Sequence, residues 1–147
     1  MRLYSFTNTW LSGIQKGLQT AHVVNEMNRH YTGNSERLNV TSDHALHNYF
    51  EWSHSGKTII ILNGGSHDTL ENYELLFSNA RNLFHPWAAF REDKYSLNGA
   101  MTAVGIILPD TFNSKEKRSE ILRNQAVDPV KTFDMQIAEL LNNSVLA

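Results

Sequence analysis

Thr58-Ile59-Ile60-Ile61-Leu62-Asn63-Gly64-Gly65-Ser66 is the stretch on which the fold turns. A short, continuous apolar and β-branched run between turn residues is the pattern of a strand covered on both faces. It is therefore expected at the centre of a sheet. Asn63 to Ser66 turn the chain, and Asp68 to Phe84 then carries helical spacing, with Leu70, Tyr73, Leu76, Phe77 and Ala80 inward. A strand that runs directly into a helix is the unit from which α/β domains are built.

The flanks extend that unit. Toward the N-terminus, Leu3 to Thr9 reads as a strand, Asn8 to Ser12 as the turn out of it, and Gly13 to His30 as a helix. Ile14, Leu18, Ala21, Val24 and Met27, with Val23 beside them, form the expected buried stripe of that helix. Gly33-Asn34-Ser35 ends it, and Thr41-Ser42-Asp43 supplies a cap for a second helix through about residue 54, with Leu46, Tyr49, Phe50 and Trp52 toward the core. Toward the C-terminus, Trp87 to Arg91 and Met101 to Leu108 read as strands, joined by a polar segment and stopped by Pro109. Ser114 caps a helix through Gln125. Asp128-Pro129 opens another, with an apolar stripe of Val130, Phe133, Ile137, Leu140 and Leu141.

This order predicts an α/β fold, a small mixed β-sheet of about four strands flanked by helices, over residues 1–112. The first two strands are expected to be parallel neighbours or near-neighbours. Residues 113–147 form a C-terminal helical extension, packed on the domain or on a second subunit. Its apolar stripe has to be covered, and a homodimer is the expectation.

Composition narrows the function. A chain of 147 residues, 41% hydrophobic, fits one domain. The absence of cysteine removes disulfides, thiolate nucleophiles and thiolate metal sites. A net charge of -2 and a pI near 6.4 argue against gripping a long nucleic acid nonspecifically, which takes many phosphate contacts. No stretch approaches the roughly 18 apolar residues of a membrane span. The expectation is a soluble, cytoplasmic protein without a membrane partner.

Gly17-Leu18-Gln19-Thr20-Ala21-His22 places two hydrogen-bonding side chains, Gln19 and His22, one turn apart after the first strand, near the sheet edge where ligands tend to sit. Ester hydrolysis needs a base near neutral pKa, a group that orients it and donors for the oxyanion. His22 suits the base, Asp93 the orienting carboxylate, and Lys16, Gln19 or Thr102 the donors.

Gln19-Thr20-Ala21-His22 resembles the Ala-Gln-x-x-His motif of the type 2 peptidyl-tRNA hydrolase family. Asp93, then Gly99-Ala100-Met101-Thr102 and Val104-Gly105-Ile106-Ile107-Leu108-Pro109, resemble its Asp-Ala-Gly loop, Gly-x-x-Thr and final strand. The likeness covers residue 2 to about 110. It implies an α/β enzyme that hydrolyses the ester between peptide and tRNA without metal or cofactor. His22, Gln19, Asp93 and Thr102 carry over by position. The family's Gly-Lys-Gly-Lys run has no counterpart: Gln15 stands where its catalytic lysine would be, with Lys16 beside it, and Asn8-Thr9 replaces its Asp-Leu. His22, Asp93 and Lys16 are thus the candidate catalytic residues; Gln19, Thr102, Asn98, Ser96, Gln15, Asn8, Gly64 and Gly65 are the candidate substrate contacts.

A second class stays open: a protein on the same fold that binds or processes a small nucleotide through Gln19, His22 and Asn98, with the Gly64-Gly65 turn presenting N–H groups to a phosphate. The partner is accordingly tRNA or a small nucleotide. His44, His47, Glu51 and His54 recur at helical spacing and read as a solvated face rather than a zinc site. Trp10, in the loop leading to His22, is placed to line a pocket.

Overall fold

The computed structural model describes residues 1–33, 43–97, 99–123 and 129–147. The chain runs β1 (Arg2–Asn8), α1 (Gly13–Thr32), α2 (Asp43–Glu51) with a π-helical turn at Trp52–Gly56, and β2 (Thr58–Gly65). It continues through α3 (His67–Phe77), β3 (Trp87–Arg91), α4 (Lys94–Leu97) and β4 (Met101–Leu108). A 3-10 turn at Asp110–Phe112, α5 (Lys115–Arg123) and α6 (Pro129–Asn142) complete it.

The strands form one four-stranded mixed sheet in the order β2-β1-β4-β3. β1 and β2 are parallel neighbours, as the crossover rule requires, and β4 is antiparallel to both β1 and β3. The chain-direction ends of β1, β2 and β3 therefore lie at one end of the sheet, with the start of β4. We call this the upper end.

Side-chain alternation sorts the residues of β1 onto two faces. Tyr4 and Phe6 join Phe77, Ile106, Phe112, Phe133, Ile137 and Leu141 in one cluster under α3 and α6. Leu3 joins Val23, Met27, Tyr31, Tyr49, Trp52 and Ile107 in the other, under α1 and α2. Gly105 permits the close approach of α1, since a Cβ there would lie 2.9 Å from Val23 and 3.0 Å from Leu3.

Three expectations are corrected. The Thr58–Leu62 run is an edge strand, not a central one: Thr58 and Ile59 are exposed, and the C-terminal segment lies beside it through Asn63 N–H to Val145 O (2.9 Å) and Ala147 N–H to Ile61 O (3.1 Å). The central strands are β1 and β4, and all of β4 is buried.

α1 is rotated from its expected setting. Ile14 is 81% exposed and Leu18 57%, and Ala21 is exposed too, whereas Gln19, Thr20, Val23, Met27 and Tyr31 are buried. The two polar members are tolerated because each finds a buried partner: Thr20 Oγ1 lies 2.8 Å from Ser5 Oγ, and the Gln19 amide is bonded at both ends.

α3 stops at Phe77 rather than 84, because the Asn82 amide donates to the Phe77 and His85 carbonyls at 2.8 and 2.9 Å and closes a turn. Ala80 is accordingly exposed.

The stripe of α6 is covered within the chain. Phe133, Ile137 and Leu141 enter the same core as the sheet, and His85 Nε2 meets Asp134 Oδ1 at 2.9 Å, so these residues pack on the domain itself, one of the two expected settings. Ser114 caps α5 as expected, through Lys117 N–H at 3.2 Å. The caps expected at Thr41-Ser42 and Asp128, the end at Gln125, and Asn98 lie outside the described residues, as do the side chains of Ser96 and Val130. Among the described residues no helix is long and apolar enough to cross a membrane.

Candidate functional site

The site begins at a β-bulge. Phe90 pairs with Ala103 but Arg91 pairs with Met101, so Thr102 is the extra residue on β4. The bulge turns Thr102 toward α1, where its Oγ1 donates to Gln19 Oε1 at 2.9 Å. Gln19 Nε2 donates in turn to Glu92 Oε1 at 2.9 Å. Gln19 is 9% exposed and Thr102 2%. A buried amide held by a hydroxyl donor on one side and a carboxylate acceptor on the other has a fixed orientation.

One turn further along α1, His22 is exposed and its ring lies flat on Phe90, with centroids 4.2 Å apart and planes 9° from parallel. The stack fixes the plane of the imidazole. Among the described residues neither His22 nitrogen is engaged in a hydrogen bond. Arg91, between Phe90 and Glu92, faces the other side of the sheet and holds Glu71 (3.1 Å) and Glu74 (2.6 Å). Phe90 and Glu92 therefore share the side that α1 covers.

Asp93 bonds within its own loop. Its Oδ1 accepts the Tyr95 N–H at 2.8 Å and its carbonyl accepts the Gly99 N–H at 3.3 Å, with Gly99 at φ +71°. These contacts shape the loop, which Glu92 N–H to Ala100 O closes at 3.0 Å. No hydrogen bond joins Asp93 to His22.

Gln15, in the place expected for a lysine, is spent in the capping box of α1: its Oε1 accepts the Ser12 N–H at 2.9 Å while its own N–H reaches Ser12 Oγ. Lys16 is half-buried, and steps of three residues from Lys16 through Gln19 to His22 rotate by about 60° each on a 3.6-residue helix, which puts Lys16 off the His22 side. Asn8 is nearly buried, and its Oδ1 accepts the Trp10 N–H at 3.0 Å. Trp10 and Tyr95 stand out at the upper end, 86% and 87% exposed.

The Gly64-Gly65 turn lies elsewhere. It belongs to β2 at one sheet edge, and Phe90 to β3 at the other, roughly 14 Å away across the spacings of β1 and β4. A Cβ on Gly64 would come 2.4 Å from Leu70 and 3.1 Å from Phe6, and Gly65 at φ +74° takes a left-handed turn, so these glycines serve packing and chain reversal. Gly65 N–H already donates to Asn63 Oδ1 at 3.0 Å. The cavity here, about 260 Å³, is lined by neutral groups including Asn63, Thr69, Tyr73 and Asn143.

The histidines of α2 and of the π-helical turn after it do not converge. His44 packs on Phe84, His47 lies 3.9 Å from Glu51, and His54 Nδ1 faces the Phe50 carbonyl. Among the described residues the ligand atoms that do cluster are those of His67, Asp68 and Glu71. There His67 Nδ1 accepts the Met101 N–H at 2.8 Å, which assigns the ring proton to Nε2, 3.2 Å from Glu71.

Sequence reading missed Glu92, Phe90 and the buried His85. Phe90 and Glu92 alternate about Arg91 at the end of β3, a period-two signal that points both at the same partner. No local signal marks His85, whose acid lies in α6. No family model matches the chain, and no curated protein matches it.

Proposed function

We propose that the chain is an ester hydrolase of the peptidyl-tRNA hydrolase type, with His22 as general base. The observation that carries the reading is His22 itself: an exposed imidazole, its plane held on Phe90, its nitrogens uncommitted among the described residues, beside a buried amide with both ends fixed. His22 takes a proton from water as the oxygen adds to the ester carbonyl carbon. The carbon–oxygen bond to the ribose then breaks, and the ribose oxygen takes the proton back from the imidazolium. Exposed Trp10 and Tyr95 at the same sheet end suit stacking on the bases of a single-stranded nucleotide end.

The test is release of free tRNA from a model peptidyl-tRNA by the wild type and by His22→Ala. A loss of about a hundredfold or more in the variant, with an unchanged circular dichroism spectrum, is expected for a missing general base. Equal rates in the two proteins overturn the reading.

A second reading is a nucleotide-binding protein without turnover. It is favoured by Gln15, spent in a helix cap in the place of the family's lysine. Calorimetric titration with a nucleotide panel separates the two: tight binding in a protein without hydrolysis selects the second.

A further inference from the structure

We propose that Glu92 is a positioning residue which, through Gln19, sets α1 against the end of β3 and so holds the His22 ring on Phe90. This rests on the reading of His22 as the base.

Two adjacent rungs join the same pair of elements. His22 meets Phe90 face to face, and one turn earlier Gln19 meets Glu92 at 2.9 Å. Gln19 and His22 are helix neighbours, with Cβ atoms about 5–6 Å apart. Phe90 lies in β3 and Glu92 just past its end, both on the side that α1 covers. A slip of α1 therefore breaks both rungs together. Stacking alone leaves an exposed ring free to slide. The Gln19–Glu92 bond is directional, charge-assisted and half-buried, and it removes that freedom.

The bond also decides the amide. Glu92 accepts only, so Nε2 of Gln19 must face it, and Oε1 must face the Thr102 hydroxyl on the bulge. Three segments, β4 at its bulge, α1 and the loop after β3, thus meet on one side chain. Asp93 is one residue on, but its carboxylate serves the Tyr95 N–H, a contact within its own loop.

The experiment compares wild type, Glu92→Ala, Glu92→Gln and Asp93→Ala by proton NMR of His22 and by steady-state release of tRNA from peptidyl-tRNA. The stack on Phe90 shifts the His22 ring protons upfield. Glu92→Ala is expected to lose much of that shift and to lower kcat between about tenfold and a hundredfold, a cost of misplacing a reacting group, with little change in KM. Glu92→Gln, whose amide oxygen still accepts from Gln19, is expected to restore both.

Asp93→Ala is expected to keep the upfield shift. A His22 spectrum unchanged in Glu92→Ala, a shift lost in Asp93→Ala alone, or no restoration by Glu92→Gln each overturns the proposal. If the wild type releases no tRNA, the hydrolase reading fails, and the NMR comparison still decides whether Glu92 holds the ring.

Discussion

Both faces of the sheet bury an apolar cluster, but they differ in how much buried polarity they carry. Under α3 and α6, Tyr4, Phe6, Val104, Ile106, Phe77, Phe133 and Ile137 make an apolar core with aromatic contacts, Phe6 meeting Tyr73 at 5.1 Å and Phe77 at 6.1 Å. Under α1 the same strand presents Leu3, then Ser5, then Thr7, and polarity rises toward the upper end. Ser5, Thr20, Gln19 and Thr102 are buried there, each with a hydrogen-bonding partner. One face is therefore held throughout by area removed from water, whereas the other adds directional bonds at its upper end to the apolar cluster of Leu3, Val23, Met27 and Ile107. The candidate site lies on the second, where orientation rather than bulk is what the packing specifies.

The sharpest way to break this contrast is Phe6→Ala. It empties a fully buried aromatic position and is expected to cost about 3–5 kcal/mol in denaturant unfolding, while the His22–Phe90 stack on the far face keeps its NMR signature. Loss of the stack at temperatures where the variant is still folded would show that the faces are not independent.

Tyr31 sharpens the contrast from the α1 side. Burial pushes its phenol up to about 12, although the Trp87 N–H donates to its oxygen at 3.2 Å. The folded state thus holds the phenol proton more tightly than the unfolded chain does. The contribution is complete below the ordinary tyrosine value of 10.0 and is lost as pH rises through about 12. Two units correspond to about 2–3 kcal/mol. Unfolding free energies measured up to about pH 11 are expected to fall more steeply for wild type than for Tyr31→Phe. Parallel curves would refute the assignment.

These two residues also show what local sequence carries. The four strands and the starts of α1, α3 and α5 followed from alternation, turn residues and caps, because those signals are written in neighbouring positions. The setting of α1 did not. Ile14, Leu18 and Ala21 look like a core stripe until Ser5, Glu92 and Thr102 are known to wait for Thr20 and Gln19, and those partners are distant in the chain. The edge position of β2 was hidden for the same reason, since residues Val145 and Ala147 lie beside it. At the site, Gln19, His22 and Thr102 were legible as a motif. Glu92 was masked by its acidic neighbour, and only the alternation about Arg91 separates them.

The smallest expected effect tests the hydrogen-bonded face at its deepest bond, Ser5 Oγ to Thr20 Oγ1 at 2.8 Å. The two partners are not equivalent. Thr20 sits in a helix, where a hydroxyl left alone can turn to the carbonyl one turn back. Ser5 sits in a central strand whose backbone groups are already paired with β2 and β4. Thr20→Val therefore strands a buried hydroxyl, whereas Ser5→Ala leaves Thr20 an alternative. Thr20→Val is expected to cost about 1–2 kcal/mol and Ser5→Ala about half as much, with the double variant below the sum of the two. Equal single costs that add without coupling would mean the bond contributes nothing beyond its two side chains, and that this face, like the other, is held by packing.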